Sequence, residues 1–424
     1  MGSWVGLVAL SLAVYDHTHS TLAVSGLLLA WQALPAFVVP AVVARIEIST
    51  RRGTLSWLYI FEAAVTAALP VLLWHFWLPA VLLLAAVDGT AALAANSLLR
   101  AEVARVARVG VAAETGRSSE SHEALVRDAE RKANAAMNVA FSVSFVTGPV
   151  LAGLVVAGAG APAALFIDVG TFLACAVMLL DLYPHIEEEG ADSIRARLQA
   201  ALAHVRAVPA LRTLLLVDAV ALVLVQAGSP IEVTYVKSTL HGGDGGYGLL
   251  VSAWGAGAVL ASVVFVRAAR RPLGLMLSAG MCALGVAFLG YAVAPTLALA
   301  CLAALVGGSG NGLDWPSLIS LVQQLTPKHL HGRMMGATES LGSVTMAVGL
   351  PLGGVLVAVS STRVAFLILG VGTLITTGVL ARLTLLGRRR ITVESPDGAP
   401  RDSVAPPGDP IHASGLLPRE PSHE

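Results

Sequence analysis

The chain has 424 residues, zero formal net charge, 13% charged residues and 56% apolar ones, with a mean hydropathy of +0.76. Soluble domains carry about 25% charged residues, so lipid rather than water is the solvent for most of this polypeptide. The balanced charge leaves no electrostatic footprint for binding nucleic acid.

A hydrocarbon core about 30 Å thick needs roughly 20 mainly apolar residues in a helix. The pattern predicts a short run at 3–15, then full runs at 23–44, 54–76, 78–100, 135–158 and 161–181. After a polar stretch, runs are predicted at 213–236, 246–267, 273–293, 296–324, 335–359 and 362–386, twelve in all. With a cytoplasmic amino terminus, the inside loops hold Arg45, Arg51, Arg52, Arg100, Arg105, Arg131, Lys132, Arg195, Arg206, Arg271, Lys328 and Arg333. The outside loops then hold only Lys237 and Arg363. The positive-inside rule therefore puts both termini in the cytoplasm of a multi-pass plasma-membrane protein.

The expected fold is all-α and integral to the membrane: twelve helices, the first short or truncated, in two pseudo-symmetric six-helix bundles. The first bundle is expected over 1–181 and the second over 212–390. Between them, 182–211 is a cytoplasmic linker in which 193–208 carries apolar positions at helical spacing among arginines. That stretch is expected to lie at the interface as an amphipathic helix, a solvated linker helix being the alternative. Residues 391–424, rich in Pro, Asp, Glu and Ser, read as a disordered cytoplasmic tail. A shift of 202 residues superposes Arg131 on Arg333, Ala135 on Ala337, Pro149 on Pro351 and VGT at 169–171 on VGT at 371–373. Parallel repeats of this kind build transporters with a site between the halves.

Four stretches carry a family resemblance: WVGLVALSLAVYDHTHSTLAVSGLLLAWQALPAFVVP at the start, ANAAMNVAFSVSFVTGPVLAGLVV in the fifth span, YGLLVSAWGAGAVLAS in the eighth, and QQLTPKHLHGRMMGATESLGS entering the eleventh. In these the chain, from Gly2 to about Arg390, resembles the major facilitator superfamily, and within it the branch of proton-linked drug, macrolide and siderophore exporters. The resemblance implies two bundles rocking about a central cavity, with export driven by inward proton flow. Two departures stand out. The family's loop after the second helix reads like G-x-x-x-D-R-x-x-R-R, whereas AVVARIEISTRR has Ala44 in place of the acid, keeps Arg45 and sets Arg51 and Arg52 farther on. Glu47 is the nearest carboxylate to take the missing role. With Arg131 and Arg333, these residues form the expected cytoplasmic gate loops. The first helix, about 14 residues from Gly2 to Asp16, is too short to cross upright, and an incomplete amino terminus is expected. A cleaved signal peptide fits poorly, because no basic leader or A-x-A site precedes the domain.

A charge inside a span costs a few kcal/mol at the bilayer centre and so tends to face a cavity or a partner. Asp88 falls near the middle of the fourth span, which the resemblance places on the cavity. Desolvation disfavours the charged form of a carboxylate in such a position, which suits a proton carrier; hydrogen bonding for packing alone is the competing reading. Asp314, followed by Trp315 and Pro316, is a second proton-coupling candidate, and Asp218 and Glu232, bracketing the seventh span, are a third and fourth. Glu62 and Asp168 complete the intramembrane acids, Asp168 with a mainly structural role. Trp31, Gln32, Asn96, Asn138, Gln226 and Trp315 are candidates to line the cavity or touch substrate, although interhelical hydrogen bonding is the preferred explanation for the polar ones. Glycines, among them Gly153, Gly255, Gly308 and Gly354, mark close helix crossings.

Enzymatic constellations are missing: no GxSxG or HExxH occurs, and Cys175, Cys282 and Cys301 stand singly in apolar helices. The H-x-H pairs at His17/His19 and His329/His331 are weak as metal ligands, and no metal or cofactor is expected, the proton gradient serving as energy source. The expected protein is a monomeric secondary transporter, not an enzyme, whose partners are a small-molecule substrate and the bilayer. It exports a small hydrophobic organic compound against protons. The alternatives are an importer or uniporter of the same fold, or a non-transporting scaffold or regulator.

Overall fold

In the computed structural model, residues 2–39, 54–115, 120–180, 194–268 and 271–393 are described. They are helical nearly throughout, with no strand among them. By contact the chain divides into residues 1–382 and 383–424. Of the second part, only the end of the last helix, to Val393, is described.

The first six spanning helices are α1 (Gly2–Thr18), α2 (Thr21–Val39), α3 (Thr54–Trp74), α4 (Leu78–Thr115), α5 (120–159) and α6 (161–178). After them come α7 (Ile194–Ala207), α8 (Pro209–Thr239), α9 (Gly243–Arg267), α10 (Leu273–Val293), α11 (Leu297–Gln324), α12 (His331–Val359) and α13 (Thr362–Val393). Ten segments have the length and hydropathy of a membrane span, one of them the 44-residue stretch Ala135–Met178. At 1.5 Å per residue that stretch would run about 66 Å, twice the hydrocarbon core. It holds two crossings, because Gly160 adopts φ 82° and ψ 165° and Pro162 follows. Only glycine occupies that backbone region without penalty. Adding the 17-residue α1, the spans are α1–α6 and α8–α13, twelve in number.

Two helices run beyond their apolar stretches. α1 continues past Asp16 because His17 Nδ1 bonds the Ala13 carbonyl at 2.8 Å and Thr18 Oγ1 donates to the Val14 carbonyl at 2.6 Å, closing its last turn. α4 carries on from Arg100 to Thr115 on alanine, valine and arginine, residues that extend a helix without needing lipid. α7 precedes Pro209, the first residue of α8, where a missing N–H costs no helical hydrogen bond. Its His204 Nε2 lies 3.2 Å from the Leu325 carbonyl at the end of α11.

Alternate connections gather at one end of the molecule. There His17 stacks on Phe76 at 4.5 Å, Thr239 bonds Thr362 at 2.7 Å, and the Arg363 guanidinium donates to the carbonyls of Ala292 and Ala294 at 3.0 Å. Arg100, Arg267, Arg333 and α7 mark the other, arginine-rich end. Large apolar side chains such as Trp57, Leu83, Leu154, Leu216 and Ile375 stand exposed around the bundle, as a lipid-facing surface requires.

The halves α1–α6 and α8–α13 meet along α5 against α9 and α2 against α12, and small residues set these crossings. A methyl group on Gly248 would collide with the Pro149 carbonyl oxygen and sit 3.0 Å from the Gly153 Cα. One on Gly354 would lie 3.0 Å from the Leu22 Cα. These approaches fall toward the end opposite the arginines.

Candidate functional site

Three groups of polar residues lie inside the apolar spans. The first centres on Asp88, buried in α4. The Trp31 indole Nε1–H donates to Asp88 Oδ2 at 2.9 Å, and the Thr66 hydroxyl donates to Oδ1 at 2.6 Å. Three helices therefore converge on one carboxylate. α2 delivers Trp31 through a π-helical turn, Leu29–Ala33, in which the extra residue rotates the indole toward α4; such turns often mark functional positions. α4 approaches closely because residue 89 is glycine: a methyl there would collide with the Trp31 carbonyl oxygen and lie 2.8 Å from its carbon. Glu62 and Asp168, also buried, lie within electrostatic reach of Asp88. One oxygen of Glu62 has no hydrogen-bond partner among the described residues, and the Asp168 carboxylate points at the space left by Gly6 in α1 while accepting from Thr171 at 3.3 Å.

The second group is Asp218 of α8 with Asp314 of α11. Both are buried and within electrostatic reach of each other. Among the described residues, both oxygens of Asp218 and one of Asp314 lack a hydrogen-bond partner. Neighbouring carboxylates in apolar surroundings cannot both carry charge cheaply.

The third group closes the end opposite the arginines. Lys237, in the π-helical turn Tyr235–Thr239 that ends α8, forms ion pairs with Asp16 of α1 at 2.7 Å and with Asp244 of α9. Beside it, the hydroxyls of Thr21 and Thr234 bond at 2.7 Å. Both contacts tie α1 and α2 of one half to α8 and α9 of the other. Beneath them Tyr235, Phe288, Tyr291 and Phe366 pack ring to ring, and the Tyr235 hydroxyl donates to the Tyr291 carbonyl at 2.6 Å. The Glu232 carboxylate lies beside the buried Tyr291 hydroxyl.

The cavity candidates scatter. Trp31 is drawn to Asp88; Gln32 follows it in the same π-helical turn, half-buried. Gln226 packs by its Cβ against Gly349 of α12, where an added methyl would meet it at 2.7 Å. Asn96 is exposed, as is Trp315. Asn138 and Arg131 lie in α5, and Arg333 is half-buried near the start of α12. Arg45, Glu47, Arg51 and Arg52 fall outside the described residues. The sequence reading missed Thr66, Asp16, Asp244 and Tyr291. It also took Lys237 for a loop charge, though it is a bridge. Thr66 had a signal: a hydroxyl set in the apolar run 63–69 of α3, near the level of Asp88.

No group of three or more His, Cys, Asp or Glu suited to a metal ion occurs among the described residues. His17 and His331 spend ring nitrogens on backbone carbonyls.

Residues 221–417 match the model of the Major Facilitator Superfamily. Among characterised proteins, the chain is 28% identical over 269 residues to the multidrug efflux pump Tap of Mycolicibacterium fortuitum, covering 59% of this chain and 62% of that one. It is also 28% identical over 261 residues to YfiS of Bacillus subtilis, an uncharacterised MFS-type transporter, covering 58% and 61%. The matches span about three-fifths of each relative's length. Among solved structures, the nucleoside transporter NupG superposes with a TM-score of 0.62 at 12% identity, over 90% of this chain and 97% of that one. A bacterial homologue of the iron transporter ferroportin, in its inward-facing state, gives 0.61 at 15%, over 89% and 95%.

Proposed function

Taking the chain as a major facilitator superfamily transporter, by fold along its length and by sequence over residues 221–417, we propose that it exports a small hydrophobic organic compound from the cytoplasm. Export runs by alternating access in exchange for protons, with Asp88 as the principal coupling carboxylate. One observation carries this reading: a buried carboxylate that three helices of one half hold through two donors of unlike chemistry.

Indole Nε1–H can only donate, whereas a threonine hydroxyl can donate or accept. A proton arriving on Oδ1 is accommodated when Thr66 turns from donor to acceptor, while Trp31 keeps its acceptor on Oδ2. Protonation thus rewires the contact between α3 and α4 and leaves that between α2 and α4 in place. Through α2, which packs on α12 of the other half, such a change reaches the crossing that must open and close. Asp218 and Asp314 form the corresponding proton-holding pair of the second half, and Glu232 stands near the seal.

With the arginine-rich end in the cytoplasm, Lys237, Asp16 and Asp244 tie the outer ends of the two halves together, and a groove lies between α5 and α9 toward the inner end. The multidrug function of the relative from Mycolicibacterium fortuitum supports export of hydrophobic compounds. The test is accumulation of hydrophobic dyes and antibiotics by everted vesicles. Energised uptake that vanishes in Asp88→Asn supports the reading. A folded wild type that moves nothing across a broad panel favours a scaffold or regulator instead.

A further inference from the structure

Below their tight contact at Phe145–Gly255 and Pro149–Gly248, α5 and α9 diverge toward the arginine-rich end and enclose a space of about 950 Å³. Its walls are two stripes of the same spacing, alike in composition except at the last position. From α5 come Val139, Ser142, Val143, Val146 and Thr147; from α9 come Val259, Ser262, Val263, Val266 and Arg267. Each stripe follows i, i+3, i+4, i+7, i+8, one continuous helix face. The walls are apolar apart from small hydroxyls and Arg267. Most of these valines stand open, Val266 at 74% and Val139 at 64% exposed.

Three features identify what covers such a surface. From Val259 to Arg267 the groove runs eight residues, about 12 Å along the helix, close to half of a hydrocarbon core of about 30 Å. It is therefore the depth of one leaflet. Its volume falls within the roughly 300–1,000 Å³ of ordinary ligand pockets. Its one charge, Arg267, lies at the wide end, at the level of lipid headgroups, and no ion pair engages it among the described residues.

We propose that this groove is a binding site for an anionic phospholipid of the adjoining leaflet, with an acyl chain between the valine stripes and the phosphate on the Arg267 guanidinium. Guanidinium recognises phosphate in a planar, bidentate manner, and a chain between the helices covers apolar walls that the splayed conformation leaves bare. Closure of α5 on α9 would have to expel that chain, so the lipid favours the splayed state over the closed one. The site does not require that the protein transport anything.

The experiment is native mass spectrometry of the full-length, delipidated protein titrated separately with phosphatidylglycerol and phosphatidylcholine. The wild type should take its first phosphatidylglycerol about tenfold more tightly than phosphatidylcholine. Arg267→Gln should lose that preference and keep its phosphatidylcholine affinity, Val263→Trp should weaken both lipids by filling the groove, and Arg271→Gln, an exposed arginine outside the lining, should behave as wild type. Circular dichroism and thermal melting show that each variant is folded. The proposal is overturned if Arg267→Gln and Val263→Trp bind phosphatidylglycerol as the wild type does, or if Arg271→Gln loses as much as Arg267→Gln, which would mean diffuse attraction to a basic surface. Dye transport by the same variants is a separate readout, so loss of the export reading leaves this result interpretable.

Discussion

Replacing Lys237 by glutamine should open the end of the molecule opposite the arginines. Lys237 is 17% exposed and lies between Asp16, 44% exposed, and Asp244, 22% exposed. At 2.7 Å and an effective dielectric of about 20, the bare attraction of one such pair is roughly 6 kcal/mol. Solvent at Asp16 and the entropy of holding a long side chain remove most of it, since fully exposed pairs net only about 0.2–1 kcal/mol. Only the pair with Asp16 spans the two halves, so a net of about 1 kcal/mol counts toward sealing, a factor of roughly 5 in the ratio of sealed to open states. Glutamine also leaves Asp16 and Asp244 facing each other without a cation, which adds to the opening. The assay is a spin-label distance measurement between cysteines introduced at Trp77 and Pro295, in a background lacking Cys175, Cys282 and Cys301. The long-distance population should grow in Lys237→Gln and return to wild type in Lys237→Arg. Superimposable distance distributions for wild type, Lys237→Gln and Lys237→Glu would refute the bridge as a seal.

Thr66→Val should abolish transport and lower the melting temperature, as expected from losing a hydrogen bond to a carboxylate worth about 1.5–3 kcal/mol, whereas Thr66→Ser should keep both. Full transport by Thr66→Val would rule out the donor-to-acceptor switch. Gly248→Val and Gly308→Val should differ in kind. The first wedges the two halves apart and alters the spin-label distances; the second drives a side chain into the Trp254 backbone within one half and costs about 1–3 kcal/mol in stability, read by thermal melting. Asp218→Asn should raise the melting temperature, by about 1 kcal/mol in stability, because it replaces by a neutral amide a buried carboxylate that has neither hydrogen-bond partner nor counter-charge among the described residues. A fall in melting temperature would mean that the pair with Asp314 is a structural asset.

Much of this molecule is legible in the primary structure because lipid imposes a simple rule: a span must be long, helical and apolar. Hence all twelve crossings, and the break around Gly160, follow from run length and from glycine with a nearby proline. Helix ends are less legible, since α4 continues well beyond its apolar stretch once its polar groups reach water. Asp88 stands out because a lone carboxylate in a span is costly, and Trp31 because few polar groups lie at a matching depth. What joins them is not legible: the π-helical turn of α2 shifts every later side chain by an extra residue, and no residue type announces it. Asn96, which its depth makes a cavity candidate, stands exposed on α4. Lys237 is the clearest case. As a single cation in a short loop it reports topology, and only the approach of α1, far away in the chain, to α8 and α9 makes it a bridge.

The most direct test of the central claim uses proteoliposomes in which an imposed pH gradient is the only driving force for a hydrophobic dye. The account predicts that the wild type accumulates dye in proportion to the gradient and loses it when a protonophore is added. Asp88→Asn should still exchange labelled for unlabelled dye at equilibrium but ignore the gradient. Gradient-driven accumulation by Asp88→Asn equal to that of the wild type would contradict the assignment of proton coupling to Asp88.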